Sequence, residues 1–227
     1  MKRSEINNII RETESFIRNM GFNLPPFAFW TPSQWENAGH EYDEIRDNML
    51  GWDITDYGHG RFDEIGLVLF TLRNGNQHNM KYQKPYAEKI LISKEDQLSP
   101  IHFHWYKMED IINRGGGNLM VQVWNSDDNG DLLDTPVTVN LDGCCSTVPA
   151  ASIIRLTPGM SITLTKKQYH SFWAEEGYGP VLIGEVSMVN DDNTDNRFYE
   201  EQGRFPTIVE DEAPLYLLCN EYPKAKE

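Results

Sequence analysis

The spacing of apolar positions along the chain changes character once. In "MKRSEINNIIRETESFIRNM", Ile6, Ile9, Ile10, Phe16, Ile17 and Met20 recur at the interval of one helix face, and Ser4 stands where a cap is expected. Ser33 and Glu36 form a capping-box pattern ahead of Trp35, Ala38, Tyr42, Ile45 and Met49, which predicts a second helix within the first fifty residues. Between them "GFNLPPFAFWTPSQ" is apolar without a period, and it predicts an extended arm covering the edge of a core. From residue 65 onward the pattern is that of strands. "IGLVLFTL", "EKILISK", "PIHFHWY", "LMVQVWN", "SIIRLTP", "SITLTKK", "YHSFWAE" and "VLIGEVSMV" are short, rich in β-branched and aromatic residues, and separated by turn-forming clusters. "DDNGD" at 127–131 and "PGM" at 158–160 read as hairpin punctuation. "DDNTDNRFYEEQ" at 191–202 is too polar for a core strand and reads as a loop over a barrel mouth. Runs of this number predict a mainly β, closed or sandwiched architecture, one domain over residues 1–227 with 1–50 as a helical extension packed on it.

Composition changes this picture little. With 39% hydrophobic and 24% charged residues the chain can bury a full core. Its formal net charge of -15 argues against nucleic acid or an anionic membrane as partner, since either draws on a concentrated basic surface. No run approaches the ~20 apolar residues of a membrane span, and the N-terminal stretch has no signal-peptide core, so a cytoplasmic protein is expected. Cys144, Cys145 and Cys219 fit neither an even disulfide framework nor a zinc spacing and read as free thiols.

The chemistry concentrates in "SPIHFHWYKMEDIINRGGG" at 99–117. On a strand, residues two apart share a face, so His102 and His104 project together and are spaced for two neighbouring positions on one metal ion. Glu109, just past the strand end, can fold back to add a carboxylate oxygen, and the glycines at 115–117 let the chain reverse. His170 lies in the strand-like "YHSFWAE" and is the candidate third imidazole. A lone strand histidine is more often a hydrogen-bonded core residue, so the pair carries the metal reading. His40, His59 and His78 sit in polar or helical contexts and are set aside.

These residues resemble the first cupin motif, two histidines, a glutamate and a later glycine, here His102, His104, Glu109 and Gly115 to Gly117; "LTPGM" with "YHSFW" is similar to the second motif. The interval from Gly159 to His170 is longer than the general pattern, and Ala174 stands where that pattern has asparagine. More narrowly, the chain resembles the D-lyxose isomerase family of cupins over nearly its whole length, through the helical extension, "GWDITDYG", "KPYAEKILIS" and "HFHWYKMEDIINRGGG". The resemblance implies a jelly-roll cupin barrel and a manganese-dependent aldose–ketose isomerase acting on lyxose and xylulose, and on mannose and fructose. By analogy it also implies a homodimer.

Such a reaction needs a base and a group that stabilises an enediolate. Glu185 in "VLIGEVSMV" shares parity with Val181 and Ile183 and so faces a packed interior, where burial raises a carboxylate's pKa; it is the candidate base. Lys94, at the end of "EKILISK", is the candidate ammonium. Asp191, Asp195 and Arg197 are candidates for binding sugar hydroxyls, and Trp105, Trp124, Phe172 and Trp173 for stacking on the sugar's apolar face. Two other readings keep the barrel: an oxygen-using cupin dioxygenase, and a non-catalytic sugar-binding cupin.

Overall fold

The computed structural model describes residues 1–189, 191 and 194–226. Among these, the fourteen strands are β1 (Gly51–Thr55), β2 (Leu67–Arg73), β3 (Tyr86–Ser93), β4 (Ser99–His104), β5 (Glu109–Gly116), β6 (Leu119–Ser126) and β7 (Leu132–Leu133), then β8 (Val137–Leu141), β9 (Cys144–Val148), β10 (Ile153–Leu156), β11 (Ser161–Leu164), β12 (Tyr169–Ala174), β13 (Val181–Met188) and β14 (Asn196–Phe198). A large antiparallel sheet runs β1-β2-β3-β13-β5-β11-β8-β9, and a smaller one runs β10-β6-β12-β4-β14, with β7 paired to β6. Every one of the eight strand-like runs in the sequence contains a strand. The pattern missed β1, β5, β7, β8, β9 and β14, because these are short, polar or glycine-rich.

Strand parity explains the layering. Leu67, Leu69, Leu91, Ile111, Ile162, Leu164, Val181 and Ile183 of the large sheet meet Leu119, Val121, Val123, Leu156 and Phe172 of the small one in the barrel core. The alternate residues of the large sheet, Trp52, Ile54, Val68, Phe70, Ile90, Ile92 and Leu182, face outward and are covered by Ile6, Ile9, Ile10 and Ile17. Those four belong to helix α1 (Arg3–Asn19), so the helix's apolar stripe and the sheet's second face bury each other. The helix begins two residues earlier than expected, with Lys2 at its cap; Ser4 lies in the first turn, where its amide and its hydroxyl both donate to Asp211. The second predicted helix is two short ones, α2 (Pro32–Glu36) and α3 (Asp43–Asp47), and the capping box is formed by Thr31 with Gln34 in place of Ser33 with Glu36. No helix among the described residues is long and apolar enough to cross a membrane.

Two features near the site depart from expectation. The glycine run at the end of β5 is tight, not slack: Gly116 has φ +89°, and a Cβ there would stand 2.2 Å from the Pro180 carbonyl oxygen. The polar stretch 191–202, read as a loop, contributes β14, which pairs antiparallel with β4 in the register Asn196 to His104 and Phe198 to His102. Beyond it, Gly203 donates its amide to the Tyr57 carbonyl, and Thr55 donates its hydroxyl to the Arg204 carbonyl. Residues 195–204 thereby form a strap from the edge of the small sheet to the end of β1 in the large one.

Candidate metal centre and the charged interior of the barrel

The inward rows change from apolar to charged halfway along the barrel. On β13 the row runs Val181, Ile183, Glu185, Ser187; on β3 Leu91 precedes Lys89 toward the same end; on β5 Ile111 precedes Glu109. The small sheet brings His102 and His104 on β4 opposite His170 on β12, where His170 and His102 are register partners. One cavity is lined by these three histidines together with Lys89, Lys107, Glu109 and Glu185.

The three imidazoles offer nitrogen atoms lying within 4.8 Å of one another. His102 Nδ1 lies 2.8 Å from the Pro100 carbonyl and His170 Nδ1 3.1 Å from the Gln168 carbonyl, which sets both tautomers: Nδ1–H donates to the backbone and Nε2 keeps its lone pair. Burial, reinforced by the neighbouring His170 and His104, pushes the His102 pKa well below its ordinary value, so that ring is neutral. Burial and then the Lys107 ammonium lower that of His104, against the pull of Glu109. Burial would raise the Glu109 pKa, but the Lys107 ammonium and the imidazoles outweigh it and hold the carboxyl well below the carboxylate range.

This set of donors fits a divalent cation. Glu109 Oε1 stands 3.2 Å from His104 Nε2 and 3.2 Å from His170 Nε2. Yet His170 Nε2 and His104 Nδ1 are buried without an aligned hydrogen-bond partner. A bare imidazole lone pair facing a carboxylate oxygen inside a barrel is repulsive unless a cation or a proton lies between them. Neutral nitrogens with one anionic oxygen suit a first-row divalent metal.

A second array adjoins the first. Lys107 Nζ stands 2.5 Å from Glu109 Oε2 and 2.8 Å from Glu185 Oε1, and Lys89 Nζ is 3.6 Å from the same Glu185 oxygen. All four side chains are buried, so the interior holds an alternating row of two ammonium and two carboxylate groups. The inward orientation of Glu185 expected from parity is what the barrel shows, with lysines supplying the compensating charge.

The sequence-derived site residues divide clearly. His102, His104, Glu109, His170 and Glu185 converge on the cavity. Glu109 does so by a different route from the one expected, since it opens β5 in the opposite sheet and does not fold back along its own strand. Lys94 is not brought there: it follows β3 at an outward position, donates to Asp63 at 2.9 Å and lies 3.6 Å from Glu12 of α1. Lys89 occupies the inward row five residues earlier. Its parity with Leu91 was a usable signal; Lys107, in a turn, left no periodic trace. Phe172 lines the cavity, whereas Trp105 and Trp124 pack with Phe103 and Tyr169 on the other face of the small sheet. Asp191 approaches His78, Arg197 is exposed, and the Asp195 carboxylate is buried against backbone amides. The strap adds Asn196, Phe198 and Arg204 to the lining, none of them anticipated.

Comparison with known proteins now bears on this geometry. The family model described as D-lyxose isomerase matches residues 1–222. The D-lyxose/D-mannose isomerase of Serratia proteamaculans is 52% identical over 223 residues, covering 98% of each chain; that of Escherichia coli O157:H7 is 51% identical over the same span and coverage. Among solved structures, Acinetobacter sp. DL28 L-ribose isomerase in complex with L-ribose superimposes with a TM-score of 0.63 at 14% identity, over 92% of this chain and 98% of that one. Cellulomonas parahominis L-ribose isomerase with L-psicose gives 0.61 at 18% identity, with the same coverage. At such identities the structural likeness speaks for the fold, and the expected cupin-type β-barrel with an N-terminal helix is borne out.

Proposed function

We propose, from the premise that this chain belongs to the D-lyxose isomerase family, that it interconverts D-lyxose with D-xylulose and D-mannose with D-fructose by metal-assisted proton transfer. The observation that carries this reading is the placement, in one buried cavity, of a three-histidine cluster beside a carboxylate–ammonium pair. In it His102, His104, His170 and Glu109 hold a divalent cation, for which we propose Mn2+. A bound cation of this kind supplies Lewis-acid polarisation of the sugar carbonyl.

The rest is the work of the side chains. Glu185 takes the proton from the carbon next to the carbonyl and, after exchange with solvent, returns a proton to the neighbouring carbon, so that the sugar passes through a cis-enediol. The Lys107 ammonium, 2.8 Å from that carboxylate, gives a proton to the carbonyl oxygen as the enediol forms and regains one from the neighbouring hydroxyl as the new carbonyl is made. Lys89 keeps Glu185 in its place. Phe172 and Phe198 present apolar faces to the sugar's C–H side, while Arg204, ion-paired to Asp53, offers donors to its hydroxyls.

Chelator-treated protein is expected to lose activity toward lyxose and mannose and to regain it on addition of Mn2+. Run in heavy water, the reaction is expected to place solvent deuterium at the transferred position. Complete retention of the substrate hydrogen would instead favour a hydride shift over the role given to Glu185.

The chain is also proposed to act as a homodimer. One edge of the large sheet, β1, is covered by residues 218–219, where Cys219 donates to Trp52. The other edge, β9, is uncharged "CCSTV" and has no further strand among the described residues. Light scattering is expected to read two chains per particle; a stable single chain refutes this.

A further inference from the structure

We propose that Asp195 is a positioning residue of the reaction, acting through Lys107: its carboxylate holds the turn from which the lysine ammonium reaches the cavity. This rests on the reading of Lys107 as the group that handles the oxygen-bound proton. The turn at 105–108 carries the chain from β4 in the small sheet to β5 in the large one, so its amides have left one ladder without joining the other. Asp195 satisfies three in succession. Tyr106 donates its amide to Oδ1 at 2.8 Å, Lys107 donates to Oδ2 at 3.1 Å, and Trp105 donates to the Asp195 carbonyl at 3.1 Å.

Asp195 is 2% exposed, and both its oxygens are engaged by backbone donors, which accounts for a buried carboxylate that does not line the cavity. It precedes Asn196, whose register partner is His104, so one short segment clamps both the histidine strand and the lysine turn. Lys107 needs such a clamp. Its four-carbon stem is flexible, and its Nζ sits between Glu109 at 2.5 Å and Glu185 at 2.8 Å only while its backbone stays where the turn puts it.

Asparagine at 195 keeps the volume but replaces one acceptor oxygen by an NH2 group facing an N–H donor. Asp195→Asn is therefore expected to keep its metal and its circular dichroism and to hold KM within about twofold, while kcat falls by about 10²-fold, the cost of displacing a catalytic group by ~1 Å. In a Lys107→Ala background the same substitution is expected to change kcat by less than about twofold, because a residue that acts only through Lys107 has nothing left to position. Parent-like kcat in Asp195→Asn beside a disabled Lys107→Ala overturns the role of Asp195 alone. Parent-like kcat in Lys107→Ala overturns the reading of Lys107 on which it rests. An equal loss in both backgrounds, or metal content falling in step with activity, marks a purely structural residue. So does a failure to fold in both Asp195→Asn and Asp195→Glu, the second of which keeps two acceptor oxygens.

Discussion

His170→Ala is expected to yield a folded barrel that retains no divalent cation and isomerises neither lyxose nor mannose. His170 is 1% exposed and supplies one of three imidazoles whose nitrogens lie within 4.8 Å of one another. Its removal leaves two imidazoles and a carboxylate, a weaker donor set from which dialysis is expected to strip the ion. The accompanying loss of carbonyl polarisation is several kcal/mol, about 10⁴-fold in rate. The fold should survive, because the barrel core is built from Leu119, Val121, Ile111, Ile183 and their neighbours, at the other end of the inward rows. The substitution also removes a buried nitrogen that has no aligned partner, so the metal-free variant should melt within a few degrees of the metal-free parent. Elemental analysis after dialysis, circular dichroism and a coupled assay together check the prediction. One equivalent of tightly held metal in the variant would falsify the ligand set.

Glu185→Gln is expected to keep its metal and lose its turnover. Glutamine is nearly isosteric and can still accept from Lys107 and Ser187, whose hydroxyl donates to Glu185 at 3.2 Å. It cannot abstract a carbon-bound proton, and kcat should fall by about 10²- to 10⁴-fold, the range for loss of a general base. Exchange of the substrate's transferred hydrogen with solvent should fall by the same factor, which a defect confined to binding would not produce. Stability should fall as well, since one negative charge leaves a buried row of two lysines and two glutamates. A cost of about 2 kcal/mol lowers Tm by roughly 4–8 °C for a chain of this size. Activity is therefore compared well below the variant's Tm. Near-parent turnover at full metal loading would sink the assignment of the base.

The two expectations differ in how they were reached. Glu185 was legible in "VLIGEVSMV", because strand parity puts it on the face of Val181 and Ile183, and a charge on that face demands a reason. His102 and His104 were legible as a pair for the same reason. His170 was legible only as a candidate, since strand pairing, and not spacing along the chain, brings it level with His102. Lys94 shows the limit of reading a residue by its distance along the chain from a motif. It follows the right strand with the wrong parity, and the inward lysine is Lys89.

Local pattern by itself determined helix α1 and the eight strand runs, which bury a regular face, together with the acidic balance of the chain and the shared orientation of the paired histidines. Each follows from a period of two or 3.6 residues, which is a property of the backbone and needs no partner to be read. Tertiary structure alone decided what meets what. Glu109 reaches the histidines from the opposite sheet, and Lys107 enters the cavity from a turn without periodicity. A polar stretch that reads as loop becomes β14 and the strap that delivers Asp195, Asn196, Phe198 and Arg204. Apart from Lys107 with Glu109 and His104 with Glu109, those contacts join residues far apart in the chain, and they exist only because two sheets close over a shared core and leave one end of it charged.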